Sequence, residues 1–147
     1  MTQLHHEIFI NATQQKVWAA LADLEAVQHY NPLVSSAHYT SGHRSGVGAA
    51  RHCDFLPKGF SKEQVTAWEE GKSIGFDTTE SSFPMSVCRW KTNLIPENGG
   101  TLVSQDLEYQ VKFGLFGRLL NILMMKRKYN SILGDIFEGL KKYVENQ

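Results

Sequence analysis

The run Arg51-His52-Cys53-Asp54 sets a cation, a base, a thiol and an acid side by side. Such a set could serve nucleophilic catalysis, where a thiolate attacks and a base within hydrogen-bond reach has taken its proton. The run lies in a stretch of strand length, however, and successive strand residues point to opposite faces. Arg51, Cys53 and Phe55 therefore share one face, and His52 and Asp54 share the other. Cys53 pairs with neither neighbour and reads as a small apolar wall residue. Phe55, apolar and next to a turn, favours the core side for its own face. Arg51 has a better partner in Glu63, on what should be the next strand. As an ion pair the two would tie the strands together, which is the commoner arrangement. As a site, Arg51 would bind a carboxylate or polarise a carbonyl, with Glu63 orienting it.

The elements that must position these residues follow from periodicity. Leu4–Ile10 is a short strand. Asn11 and Thr13 are capping types in front of a run in which Val17, Ala20, Leu21 and Leu24 recur at helical spacing. A second short helix over Glu25–Tyr30 ends at Asn31-Pro32, because a residue before proline avoids helical angles. From Leu33 to Val111, runs of strand length alternate with turn clusters such as Ser41-Gly42, Pro57-Lys58-Gly59 and Asn98-Gly99-Gly100. Six strands in one antiparallel meander are expected there. From about Leu115 to Val144 the period is helical. Leu115, Leu119, Ile122, Tyr129, Leu133, Phe137, Leu140 and Val144 fall on one stripe, which predicts a single long helix with one buried face. The resulting class is α+β, an antiparallel sheet with its helices grouped on one side.

Composition narrows the function. The 147 residues suit one domain, 41% hydrophobic and 20% charged. Fifteen basic and fifteen acidic residues cancel, which argues against a general nucleic-acid binder. No basic start followed by an apolar run opens the chain, and no segment approaches the ~20 apolar residues of a membrane span. Cys53 and Cys88 form no CxxC pair, and the six histidines lack ligand spacing. A cytosolic protein with reduced thiols, no metal and no cofactor is expected.

Four stretches, Lys16–Val34 (KVWAALADLEAVQHYNPLV), Gly46–Cys53 (GVGAARHC), Val65–Phe76 (VTAWEEGKSIGF) and Gly139–Glu145 (GLKKYVE), carry a resemblance. The chain resembles the SRPBCC or START-like superfamily, also called Bet v 1-like. Within it, the bacterial polyketide cyclase/dehydrase and lipid-transport-like branch is the nearest in pattern. The resemblance implies a helix-grip fold: a seven-stranded antiparallel sheet wrapped around a long C-terminal helix, with two short helices after the first strand. It also implies a cavity between sheet and helix, and places the parity of Arg51 inward. It supplies no universal catalytic motif.

Combining parity with that cavity gives a set of expected lining residues. Ser35 comes from the second strand, Arg51, Cys53 and Phe55 from the third, Glu63 from the fourth and Phe76 from the fifth. Trp90 comes from the sixth, with Ser86 and Cys88 on its face, and Gln105, Leu107 and Tyr109 from the seventh. Lys126, Tyr129, Asn130 and Leu133 come from the last helix. Leu56, Pro57 and Phe83, at two hairpin tips, are expected at the entrance. Lys126 is the anomaly, a lysine in an apolar stripe. Either the helix kinks near Met124-Met125, or the stem snorkels out, or the ammonium meets Glu63 or a ligand carboxylate.

The leading expectation is a carrier of a hydrophobic small molecule such as a lipid, polyketide or quinone-like ring. A cyclase- or dehydratase-like enzyme using Arg51, Glu63, Tyr109 and Lys126 as its acid–base set is an alternative. A second alternative is an interaction module, a chaperone cofactor or membrane-associated protein, acting through Phe113–Lys128. Membrane contact is the less favoured of these, because a buried stripe already accounts for most apolar residues of that segment.

Overall fold

In the computed structural model, which describes residues 1–147, the first strand β1 (Thr2–Ile10) ends where Thr13 caps a helix. The Thr13 hydroxyl accepts from the Lys16 amide at 3.2 Å, satisfying one of the free N–H groups at a helix start. Helix α1 (Gln14–Ala22) buries Val17, Trp18, Ala20 and Leu21, and a single turn, α2 (Val27–Tyr30), follows. Six strands then run in sequence: β2 (Val34–Tyr39), β3 (Ala50–Phe55), β4 (Phe60–Glu69), β5 (Ser73–Ser81), β6 (Met85–Glu97) and β7 (Gly100–Val111). They form one antiparallel sheet in the order β1-β7-β6-β5-β4-β3-β2. The meander is thus as the turn spacing predicted, closed at one end by the first strand pairing with the last.

The C-terminal segment departs from the single-stripe expectation. It comprises α3 (Gly114–Leu120), a π-helical segment (Asn121–Met125) and α4 (Lys126–Glu145). The Lys126 amide donates to the Asn121 carbonyl, an i→i−5 bond that takes one extra residue into the turn. Its buried side is Gly117, Asn121, Leu133, Phe137, Leu140 and Val144, with Met125 and Tyr129 half-buried between them. From Gly117 to Phe137 these contacts run at four-residue steps, and each such step drifts by about 40° in a regular α-helix. The wider π turn compensates for the drift. Leu115, Leu119 and Ile122, assigned to the buried stripe by three- and four-residue arithmetic, instead face solvent at 81%, 54% and 76% exposure.

The core has two parts. The larger joins α1, α2 and the end of α4, through Phe137, Leu140 and Val144, to residues from every strand, among them Ile10, Val34, Cys53, Val65, Leu94 and Val103. The smaller consists of Leu4, Tyr109 and Leu133. Helix α4 packs chiefly on β1 and α2 rather than over β3–β6. Its approach to α2 is close enough to require glycine: a Cβ on Gly139 would lie 2.0 Å from the Tyr30 carbonyl oxygen.

Gly139→Ala is accordingly expected to destabilise the fold by about 1–3 kcal/mol in urea denaturation, the usual cost of overpacking. Gly134→Ala is its control. A Cβ there lies 3.5 Å from the His6 ring, an ordinary contact, so its helix propensity should leave stability unchanged or raise it by up to about 1 kcal/mol.

Candidate functional site

On the inner face, β3 and β4 bring Arg51 opposite Glu63 in register. Arg51 Nε and Nη2 both lie 2.8 Å from Glu63 Oε1, and Nη1 donates to the Leu24 carbonyl at 3.1 Å. The Ser61 hydroxyl donates to Glu63 Oε2 at 2.8 Å, and the Cys53 thiol lies 3.9 Å from Oε1. The guanidinium sits 4.5 Å above the Phe76 ring, which stacks on Trp90 at 5.3 Å. Both charged groups are nearly fully buried, at 4% and 7% exposure. Burial is the largest influence on Arg51 and opposes its charge, but the Glu63 carboxylate, with Cys53 and Tyr30, outweighs it and its pKa rises. The pair therefore ties β3 and β4 to the α1–α2 connection, with both carboxylate oxygens engaged. Cys53 is held as a thiol: burial first, then the Glu63 carboxylate, pushes its pKa up to about 12.

A second polar group lies at the other end of the helix. The Tyr109 hydroxyl donates to Asn121 Oδ1, and Asn121 Nδ2 donates to Thr2 Oγ1 at 2.8 Å. Tyr129 meets Tyr109 edge-on at 5.0 Å, and burial, then Tyr109, pushes its pKa up to about 12. A recess of about 490 Å³ opens here, with Thr2, Tyr109 and Asn121 among its walls and Phe113, Leu115 and Arg118 on the exposed helix that borders it.

Between the two polar groups, the concave side carries residues that are only half-buried. Phe55 and Trp90 pack against the larger core, and Met85, Cys88, Leu107, Val111 and Tyr129 against the smaller. Gln105, by contrast, is buried and accepts from Thr92 Oγ1 at 2.9 Å. Burial, followed by Glu63, holds the Cys88 pKa up at about 12. The β3–β4 and β5–β6 hairpin tips touch through Phe55 and Phe83, edge-on at 5.2 Å, while Leu56 and Pro57 are exposed at the first tip.

Several expected lining residues lie elsewhere. Ser35 is exposed, because a bulge between Val34 and Ser36 shifts the register of β2 and turns it outward, with its hydroxyl on the Asp54 carbonyl. Ser86 is exposed at a like shift between Met85 and Val87, which puts Met85 on the core side instead. A third shift, between Val65 and Ala67, brings Trp68 rather than Ala67 to the core. Lys126 and Asn130 are exposed. Of the three explanations for Lys126, the pairing with Glu63 is excluded, since Arg51 holds that carboxylate, and the π segment is the irregularity that removes Lys126 from the buried side. The four groups considered for acid–base chemistry do not converge: Arg51 and Glu63 satisfy each other, Tyr109 binds Asn121, and Lys126 points to solvent. Sequence reasoning also missed Asn121 and Thr2. A lone asparagine within Leu119–Met125, an otherwise apolar run, was the available signal for the first.

A twisted antiparallel sheet holding a long C-terminal helix, with two short helices after β1, is the helix-grip class of fold. A family model described as polyketide cyclase/dehydrase and lipid transport matches residues 1–145, and the chain belongs to that family. Solved structures agree on the fold. A protein from Thermus thermophilus is 21% identical, covering 99% of this chain and 98% of its own, at TM-score 0.84. A START superfamily protein from Mycobacterium smegmatis is 17% identical, covering 98% and 97%, at 0.82. The major latex-like protein 151 of Panax ginseng is 15% identical, covering 97% and 96%, at 0.74. Comparison with curated proteins finds no match. No helix is long and apolar enough to cross a membrane.

Two outcomes test the assignment of the polar cluster. Glu63→Ala leaves a buried, unpaired guanidinium and is expected to cost about 3–5 kcal/mol in urea denaturation, most of it recovered when Arg51→Met is added. Both cysteines, with pKa values near 12, should alkylate with iodoacetamide at pH 8 far more slowly in the native state than in urea. Native-state labelling of Cys53 at the rate of an exposed thiol would restore the nucleophile reading.

Proposed function

We propose that the chain binds a mostly apolar small molecule, of lipid or polyketide type, on the concave side of the sheet against the C-terminal helix. The observation that carries this reading is a set of apolar and aromatic side chains that pack on the core yet are incompletely covered: Phe55, Cys88, Trp90, Leu107 and Tyr129 keep accessible surface beside the two core clusters. Pockets for small ligands are built in this way, from apolar and aromatic walls with a few placed polar groups. Tyr109, Asn121 and Thr2 supply such groups at one end. The family description, which includes lipid transport, agrees in chemistry. Helix α4 rests chiefly on β1 and α2 and meets β7 through Tyr129 and Leu133 on Tyr109, so space beneath it beside these contacts leaves its main packing intact. Arg51 and Glu63 define the floor of the larger core in this reading and do not contact the ligand.

Native mass spectrometry of gently purified protein should show a retained small molecule. The probe 8-anilinonaphthalene-1-sulfonate should gain fluorescence with the native chain. Leu107→Trp, which fills the space, should remove most of that gain, whereas replacing the exposed Leu119 and Ile122 by serine should not. Fluorescence that vanishes with the exposed pair and ignores Leu107→Trp, with no retained molecule, overturns the reading.

A further inference from the structure

The α3–π segment presents an apolar surface that nothing in the fold covers. Leu115, Phe116, Leu119, Ile122, Leu123 and Met124 are each more than half exposed, from 54% to 81%. The opposite side of the same segment is anchored: a Cβ on Gly117 would meet the Lys112 carbonyl oxygen at 1.9 Å, and Asn121 is hydrogen-bonded to Tyr109 and Thr2. The apolar side is therefore held outward by the packing of the other side. Monomeric proteins rarely leave contiguous apolar surface of this kind without a partner.

Charge identifies the partner. From Tyr109 to Gly134 the chain carries Lys112, Arg118, Lys126, Arg127 and Lys128 and no acidic residue, in a protein whose net charge is zero. All five cations are exposed, and none is in an ion pair. Lys112 precedes the apolar turns and Lys126–Lys128 follow them, so cations flank the apolar face at both ends. A second copy of the chain meeting this face through a two-fold axis would bring like charges together. The face is also a convex helix side rather than a groove. Leu, Ile, Phe and Met on one side with lysine and arginine at its ends is the pattern of a helix lying in a lipid interface, where apolar side chains enter the acyl boundary and cations reach anionic headgroups.

We propose that residues 112–128 dock the protein reversibly on anionic lipid bilayers, with α3 and the π segment lying in the interfacial plane. This does not depend on the ligand reading, since the docking residues are exposed ones. It does place the bilayer against the recess bounded by Phe113, Leu115 and Arg118.

The test is co-sedimentation of the full chain with vesicles of phosphatidylcholine, alone or mixed with phosphatidylserine. The chain should pellet with the mixed vesicles and not with phosphatidylcholine alone, and high salt should release it. Replacing Lys126, Arg127 and Lys128 together by alanine should weaken partitioning by about 100-fold. Leu119→Ser with Ile122→Ser should abolish it while circular dichroism stays native, because both side chains already face solvent. Indole emission from Phe116→Trp should shift to the blue on the mixed vesicles only. The proposal is overturned by an absence of binding to mixed vesicles at low salt, by equal binding to both vesicle types, or by binding that survives the serine substitutions. It is likewise overturned if, without vesicles, sedimentation reveals self-association or a stable protein complex that those substitutions dissolve.

Discussion

A guanidinium and a carboxylate withdrawn from water are tolerable only when each answers the other and their remaining hydrogen-bond capacity is met. Arg51 and Glu63 meet that condition through the Leu24 carbonyl and the Ser61 hydroxyl. The requirement fixes more than one pair. It sets the register of β3 against β4, holds the α1–α2 connection over the sheet, and seats the Phe76 ring beneath the cation. With that half of the molecule tied down, the C-terminal half of α4 has a fixed surface on which to pack Phe137, Leu140 and Val144. The other half of the sheet, under the start of α4, carries no comparable charged clamp, and there the apolar interior thins into half-buried side chains.

The division of labour between the ends of the sheet bears on function. A carrier needs a rigid frame and an adaptable interior in one small domain. The charged clamp supplies rigidity at β3 and β4, and the larger core extends it to one end of every strand. The Leu4–Tyr109–Leu133 cluster is small and rimmed by Met85, Cys88 and Leu107, flexible or compact side chains that accommodate different shapes. Low local packing is where opening motions of least free energy are found.

Much of this was legible in the sequence. The order of β2–β7 followed from turn spacing, and alternation, with the family resemblance setting which face is inner, placed Arg51, Cys53, Glu63, Phe76, Gln105 and Tyr109 inward. It also dissolved the apparent Arg-His-Cys-Asp catalytic string. What was not legible came from breaks in period. Alternation counts residues, so a bulge that adds one reverses every assignment beyond it; Ser35 and Ser86 were lost in this way. The π segment did the same to the helix, and with it Lys126 and Asn130. The anomaly of Lys126 admitted a kink near Met124-Met125, but nothing in local composition sets a π segment over Asn121–Met125 apart from a regular turn.

That extra residue in the helix also sets the orientation of α3 relative to α4. Deleting one position within Asn121–Met125 would restore a regular helix and rotate everything before it by about 100° relative to α4. The surface of α3 would then turn from one environment to another in a single genetic step, with no strand or core residue altered.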